Sequence, residues 1–475
     1  MALTAEDLKT IPEDGIDPEN PGKYQALLED LQGDILKGHG RDYSVHLFLK
    51  FKPDRTDAVK QWIQTFAQDY LKSAKQQSDQ AVRYRQEGVS GGLFANFFLS
   101  CKGYEYLGFE PFQIPSDQPF RLGMKNDDVR SSLNDPLVTE WENRFQSQIH
   151  ALVLMADDDI INLLQAVNRI MQLLRQVTDI VHREDGFILR NKAGQIIEHF
   201  GFVDNISQPL FLKRDVISAR TNNCDFNTWN PRASLDIILV KDPNGQTEDS
   251  YGSYLLYRKL EQNVKAFRED QRQLAQVLNV KDDLAGAMIV GRFYDGTPLT
   301  LSDIPTYAVT PTNNFNYDTD RVATKCPFHS HIRKMNPRGD TGRVESSPDF
   351  TQSLEVEKKH RIARRSVSYG NNDPTKEPEA GSGLLFLCFQ SSIENQFNFL
   401  QSRWANANNF VQVNVGSDPL IGQPEGTQKW PKKWGESETK EYNFKLWVNM
   451  KGGEYFFTPS ISFLKNIVTS NFIKN

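Results

Sequence analysis

Hydrophobic and polar positions along the chain follow two rhythms, one of period two and one close to 3.6. SVHLFLKF (Ser44–Phe51) predicts a strand, and a helical stretch follows from Thr56 to Lys72. GGLFANFFLS (Gly91–Ser100) predicts a second strand. The clearest unit of the first half is IHALVLMAD (Ile149–Asp157), which runs into a segment of helical spacing. There Ile160, Leu163, Leu164, Val167, Ile170, Met171 and Leu174 share one stripe. Asp157–Asp159 stand where a helix start favours acidic side chains.

The second half repeats the scheme. SLDIILVKD (Ser234–Asp242) predicts a strand, Leu255–Val280 a long charged helix, and GLLFLCFQ (Gly383–Gln390) a buried strand. In the segment that follows, Ile393, Phe397, Leu400 and Trp404 form one helix face, with Ser391 and Glu394 as a capping box. Two strand–helix units in each half predict an α+β protein made of two ferredoxin-like sandwiches. We expect a flexible N-terminal arm over residues 1–26, an N-terminal domain over 27–195 and a C-terminal domain over 196–475. Residues 313–381 lack apolar periodicity and are rich in Asn, Pro, Arg and His. Loops that long inside compact domains usually carry function.

Composition narrows the classes. The 475 residues hold 55 Lys and Arg against 61 Asp and Glu, a net charge of −6. No basic face for phosphate stands out, so a nucleic-acid partner is not expected. No run approaches the ~20 apolar residues that span a bilayer. MALTAEDLKTIPEDG lacks the basic and apolar regions of a secretory signal, so a cytoplasmic location is the expectation. Four cysteines in so long a chain are not a disulfide framework, and none forms a CxxC pair. With only eight histidines, His-dependent chemistry must rest on one or two of them.

Three segments could carry chemistry. In HFGFVDNISQP (His199–Pro209), Asp204 follows Gly201, Phe202 and Val203 and precedes Asn205. It reads as an Asx-turn residue or as an acid/base carboxylate. In KCPFHSHIRKMNPR (Lys325–Arg338), Cys326, His329 and His331 could be three ligands of a zinc site. Equally, one histidine could be a haem axial ligand, with Arg333, Lys334 and Arg338 balancing the propionates. A solvated basic loop is the plain alternative. In RIARRSVSYG (Arg361–Gly370), Arg364 and Arg365 enter a short strand, either as surface ion pairs or as a guanidinium beside an apolar wall. Alternation on the later strand puts Leu384 and Phe386 on one face and Leu385 and Leu387 on the other.

Together and in this order, these segments resemble the dye-decolorizing peroxidases. Gly201–Asn205 matches the family's Gly-x-x-Asp-Gly turn except that Asn205 replaces the last Gly. Cys326–Arg338 resembles CPF-x-x-HIRK-x-NPR, and Arg364–Gly370 and Gly383–Asn406 resemble the Arg-Arg strand and the GLLF strand with its helix. GSDPLIG (Gly416–Gly422) and KGGEYFFTPS (Lys451–Ser460) also match, so the likeness runs from about Leu31 to Leu464, in the longer-chain subgroup. The resemblance implies two ferredoxin-like domains of the dimeric α+β barrel type and one haem b per chain, held mainly by the C-terminal domain, with His331 as the proximal iron ligand. It also implies Asp204 as the distal acid/base, Arg364 as the distal Arg, Leu384 and Phe386 as the apolar distal wall, and Asp418 as acceptor of the His331 ring N–H.

The partners implied are hydrogen peroxide and a reducing organic substrate such as an anthraquinone-type dye or a phenolic, with no nucleic acid and no membrane. Oligomeric state is left open. Donors too bulky for a peroxide-sized pocket would give electrons at an open haem edge or through a surface Trp or Tyr. Two other classes compete with this reading. One is a haem-binding or storage protein with little turnover, and the other is a Cys326/His329/His331 zinc module.

Overall fold

Two copies of one strand–helix order organise the chain, seen in a computed structural model that describes residues 2–344, 350–423 and 426–469. The first runs β1 (Tyr43–Phe51), α1 (Thr56–Asp69), α2 (Ala74–Glu87), β2 (Phe94–Leu99), β3 (Ala151–Asp157), α3 (Ile160–Leu174) and β4 (Thr178–Phe187). Its strands pair antiparallel in the order β2-β3-β1-β4. The second begins with β5 (Tyr251–Gln262), α4 (Val264–Leu278), α5 (Asp282–Val290) and α6 (His331–Met335). It continues with β6 (Ala363–Arg364), β7 (Val367–Tyr369) and β8 (Gly383–Gln390). Next come π-type helical turns (Glu394–Asn398 and Leu400–Ala405), and the half ends on β9 (Val448–Thr458). These strands pair antiparallel as β9-β5-β8-β7, with β6 also on β8. Both halves therefore have the split β-α-β order of a ferredoxin-like sandwich, the α+β class expected from the sequence.

The two sheets meet at two narrow seams, Phe457 against Leu99 and Phe187 against Ser368. The circuit β5-β9-β2-β3-β1-β4-β7-β8 returns to β5, so the sheets close into one barrel. Closure covers sheet edges that would otherwise offer unpaired backbone. Inside, Phe48 meets Tyr257 with ring centres 4.9 Å apart. Lys259 of β5 reaches Glu184 of β4 at 2.6 Å and thereby ties one half to the other. Alternation on β5 sends Arg258, Leu260 and Gln262 to the opposite face, where they border a cavity together with Leu384, Phe386, Val448 and Met450. The site thus lies on the outer face of the second sheet. Among the described residues, no helix is long and apolar enough to cross a membrane.

Three expectations are corrected. Leu255–Val280 is not one helix: strand β5 extends to Gln262, and the helix begins after Asn263, whose side chain accepts the Ala266 N–H. The charges that imitate a solvated helix are spent inside the protein, Arg258 on Asp135 and Lys259 on Glu184. Ser234–Asp242 is strand only at Val240–Lys241, preceded by a 3-10 turn at Leu235–Ile237. Its apolar run reports burial, which a buried irregular segment shares with a strand. Finally, the N-terminal segment is not a loose arm. Ile16 is fully buried and pairs with Leu212, Ile16 N–H donates to Phe211 O at 2.9 Å, and Lys213 N–H donates to Ile16 O at 2.8 Å.

Candidate active site

Asp204 stands on a tight hairpin. Its N–H donates to Ile196 O at 3.0 Å, Ile197 pairs with Val203, and Glu198 N–H donates to Phe202 O at 3.2 Å. Gly201 has φ +92° and Asn205 φ +63°. These are left-handed conformations that Gly adopts freely and Asn better than most residues. Asp204 Oδ1 accepts the N–H of its neighbour Asn205 at 2.6 Å, one residue short of the Asx-turn expected from the sequence. The same residue borders the cavity, where its Oδ1 lies 3.4 Å from an Arg364 Nη1. Turn residue and cavity carboxylate are therefore one side chain.

Arg364 enters from β6, opposite Cys388 of β8, with its backbone N–H on Gln208 Oε1 at 3.0 Å. Arg365 points the other way. Its Nε donates to Asp34 O at 2.6 Å and its Nη2 to Ile35 O at 2.8 Å, so the alternation of a strand separates the two guanidiniums.

His331 opens α6. Its Nδ1 lies 2.8 Å from Asp418 Oδ2, and Asp418 is buried with Oδ1 accepting Leu420 N–H at 2.8 Å and Ile421 N–H at 3.2 Å. Burial alone would raise the Asp418 carboxyl. The His331 ring and the N–H donors outweigh it and hold the group below its ordinary value. With Nδ1 fixed on a carboxylate, the ring is oriented and Nε2 is left for a ligand. Lys334, nearly one turn further on, donates to Trp404 O at 3.0 Å and Ala407 O at 2.6 Å. Burial lowers this ammonium to about 7.

Leu384 and Phe386 line the cavity while Leu385 and Leu387 are buried in the barrel core, as alternation requires. Arg338 does not line it. That guanidinium is fully buried, donating to Asn313 O at 2.8 Å and Phe315 O at 2.6 Å, 3.9 Å from the Phe315 ring centre. Arg333 is likewise occupied, by Asp320 and Asp340. Besides Arg258 and Arg364, the guanidiniums that border the cavity are those of Arg292 and Arg361, which the sequence did not single out. Arg292 donates to Gly296 O at 2.7 Å and Thr312 O at 2.9 Å, and Arg361 to Pro231 O at 3.2 Å and Arg232 O at 3.1 Å. Burial lowers both to about 10, which leaves them protonated at neutral pH. Arg361 Nε is buried without a partner among the described residues.

A histidine whose Nε2 has no partner among the described residues, an apolar wall, and guanidiniums that include Arg361 with its unpartnered Nε suit a flat macrocycle carrying two carboxylates. The residues fit haem b. They do not fit zinc. Cys326 lies in an apolar cluster where burial pushes its thiol up to about 12. His329 packs 4.3 Å from Trp430, and burial pushes it down to about 3. Among the described residues, the group close enough to share an ion is Glu142, His182 and Glu184, and Lys259 already bridges its two carboxylates.

Comparison with known proteins gives one answer along the chain. Residues 30–188 match the family model described as the DyP dimeric alpha+beta barrel domain, and residues 225–414 match Dyp-type peroxidase, C-terminal. The multifunctional dye peroxidase DyP2 of Amycolatopsis sp. is 39% identical over 469 residues, covering 94% of this chain and 97% of that protein. The crystal structure of a DyP-type peroxidase from Anabaena sp., AnaPX, is 73% identical with TM-score 0.96, covering 98% of this chain and 100% of the other. A fungal DyP-type peroxidase from Auricularia auricula-judae is 25% identical with TM-score 0.75, covering 93% and 98%. Fold, cavity and relatives agree, and the chain belongs to the dye-decolorizing peroxidase family as a haem-dependent peroxidase.

Proposed function

We propose that this peroxidase reduces hydrogen peroxide with Asp204 as acid/base, Arg364 as its charge-stabilising partner and His331 as the iron ligand. Its electrons come from bulky organic donors such as anthraquinone-type dyes and phenolics. One observation carries the reading: the Asp204–Arg364 pair and the Asp418-backed His331 border the same cavity. When bound, haem supplies the redox chemistry, and the protein supplies orientation and electrostatics. Nε2 of His331 would hold the iron, while Asp418 accepts the Nδ1 proton and makes the ring a stronger ligand. Arg292 and Arg361 would face the propionates, and Leu384 and Phe386 would keep water from the peroxide side. On this reading residues 196–475 hold the cofactor, and residues 27–195 are the companion domain.

Asp204 takes a proton from one peroxide oxygen and returns it to the other, which leaves as water. Arg364 stabilises the negative charge that develops on the departing oxygen. A carboxylate base has an ordinary pKa near ~3.9, so the step tolerates more acid than an imidazole base would. Large donors deliver electrons from the cavity rim or through a surface Trp or Tyr.

Visible spectroscopy of the purified protein tests this. A Soret band that changes on adding peroxide is expected, and Asp204→Asn should keep the band while slowing the peroxide reaction by about 10²- to 10⁴-fold. Near-normal turnover in that variant would sink the assignment. A stable Soret band with no response to peroxide in the native protein would favour a haem-storage role.

A further inference from the structure

A second carboxylate shares the face of the Asp204 hairpin. In the register set by residues 196–198 against 202–204, Ile196 stands opposite Asp204 and Glu198 opposite Phe202, so these four side chains point to one side. Both Glu198 oxygens are engaged. Oε1 accepts the Phe202 N–H at 3.0 Å, and Oε2 accepts the Phe200 N–H at 2.8 Å and the Gln262 side-chain amide at 2.6 Å. Its backbone carbonyl accepts the Gly201 N–H at 2.8 Å. Gln262 is the last residue of β5, and both it and Glu198 line the cavity with Asp204. The hairpin is therefore fastened to the sheet behind the cavity through one carboxylate while its other carboxylate meets Arg364.

We infer that Glu198 is a positioning residue for the acid/base step: anchored on Gln262, it fixes the hairpin that aims Asp204. This rests on the reading of Asp204 given above. The role follows from the bonds: without a carboxylate at position 198, three N–H donors lose their acceptor and the turn ahead of Asp204 loosens. Burial raises Glu198 above its usual value and the charge of Asp204 adds to the effect. The other charged or titratable groups nearby are Arg268 of α4, which donates to Phe200 O, Tyr294, Arg364, and Arg258, whose charge is met by Asp135.

The test is rapid-mixing spectroscopy of the haem-loaded enzyme with peroxide across the acid range. Glu198→Gln is expected to retain haem and to slow the peroxide reaction by about tenfold. Gln262→Leu removes only the anchor, so the reaction slows by about threefold. The KM for the organic donor stays unchanged in both. A native rate in Glu198→Gln overturns the inference. If that variant fails to hold haem, a native rate in Gln262→Leu overturns it. Asp204→Asn measured alongside keeps the two claims apart, because a native rate there rejects the acid/base assignment itself.

Discussion

At Asn205 the backbone takes φ +63°, a conformation that costs most side chains about 1–2 kcal/mol and Asn less. The residue after Asp204 thus decides whether the carboxylate keeps its aim. Asn205→Val is expected to destabilise the protein by about 1–2 kcal/mol and to slow the peroxide reaction. Asn205→Gly should leave both near native values. Denaturant unfolding with a rapid-mixing assay distinguishes the two, and native stability in the Val variant would reject the argument. Taken without the family resemblance, the residues left several choices open at this scale. His331 and His329 are two positions apart, yet one faces the cavity and the other packs on Trp430. Arg338 sits in the most specific motif and still turns its donors to Asn313 and Phe315, away from the cavity. Arg292 and Arg361 carry no local signal, because what distinguishes them is their place on the cavity wall, set by chain segments distant in sequence.

The helical segment after β8 shows what patterns do and do not reveal about elements. Ile393, Phe397, Leu400 and Trp404 are all buried, as their spacing predicts. Its start is not the expected Ser391–Glu394 box. Asp117, from the first half of the chain, accepts the Ile393 N–H at 2.9 Å, the Glu394 N–H at 3.4 Å and the Ser392 hydroxyl at 3.0 Å. Gln396 Oε1 takes the Ser391 and Ser392 N–H groups. Orphan donors at a helix start need an acceptor, but nothing requires it to be local. Asp117→Ala should therefore cost about 1–2 kcal/mol in denaturant unfolding, as loss of a cap does. A change below a few tenths would mean that Gln396 and water suffice. Strand β5 makes the same point from the other side. Its Arg258 and Lys259 look like solvated helix residues only because their partners, Asp135 and Glu184, are distant in sequence.

For the molecule as a whole, closing two sheets into a barrel buries polar groups that one sheet would leave in water. His46 of β1 is buried and pushed down to about 3, and His150, just before β3, is pushed down to about 4, each chiefly by burial. Both are neutral in the folded protein at pH values where the unfolded chain protonates them. The stability they allow is complete above pH 6.5, the ordinary histidine value, and is lost as pH falls from there towards about 4. Each histidine contributes a slope of about 1.4 kcal/mol per pH unit in that window. Denaturant midpoints at neutral and mildly acidic pH should show the fall, and His46→Phe should flatten it. An unchanged slope in that variant would show that other groups set the acid sensitivity.

Local periodicity determined the strand–helix units, the α+β class and the two repeated halves, because burying one face of a strand or helix leaves a pattern in neighbouring residues. The resemblance of the chain's motifs to the dye-decolorizing peroxidases brought Asp204, His331, Arg364, Leu384, Phe386 and Asp418 forward. Tertiary structure alone decided which strands meet at the two seams of the barrel and that the N-terminal segment is clipped to Leu212. It also decided that Arg292 and Arg361 face the cavity in place of Arg338, and that Glu198 stands beside Asp204. Each of these depends on which distant side chains meet, and the energy of a buried charge is set by those partners and not by its neighbours in the chain.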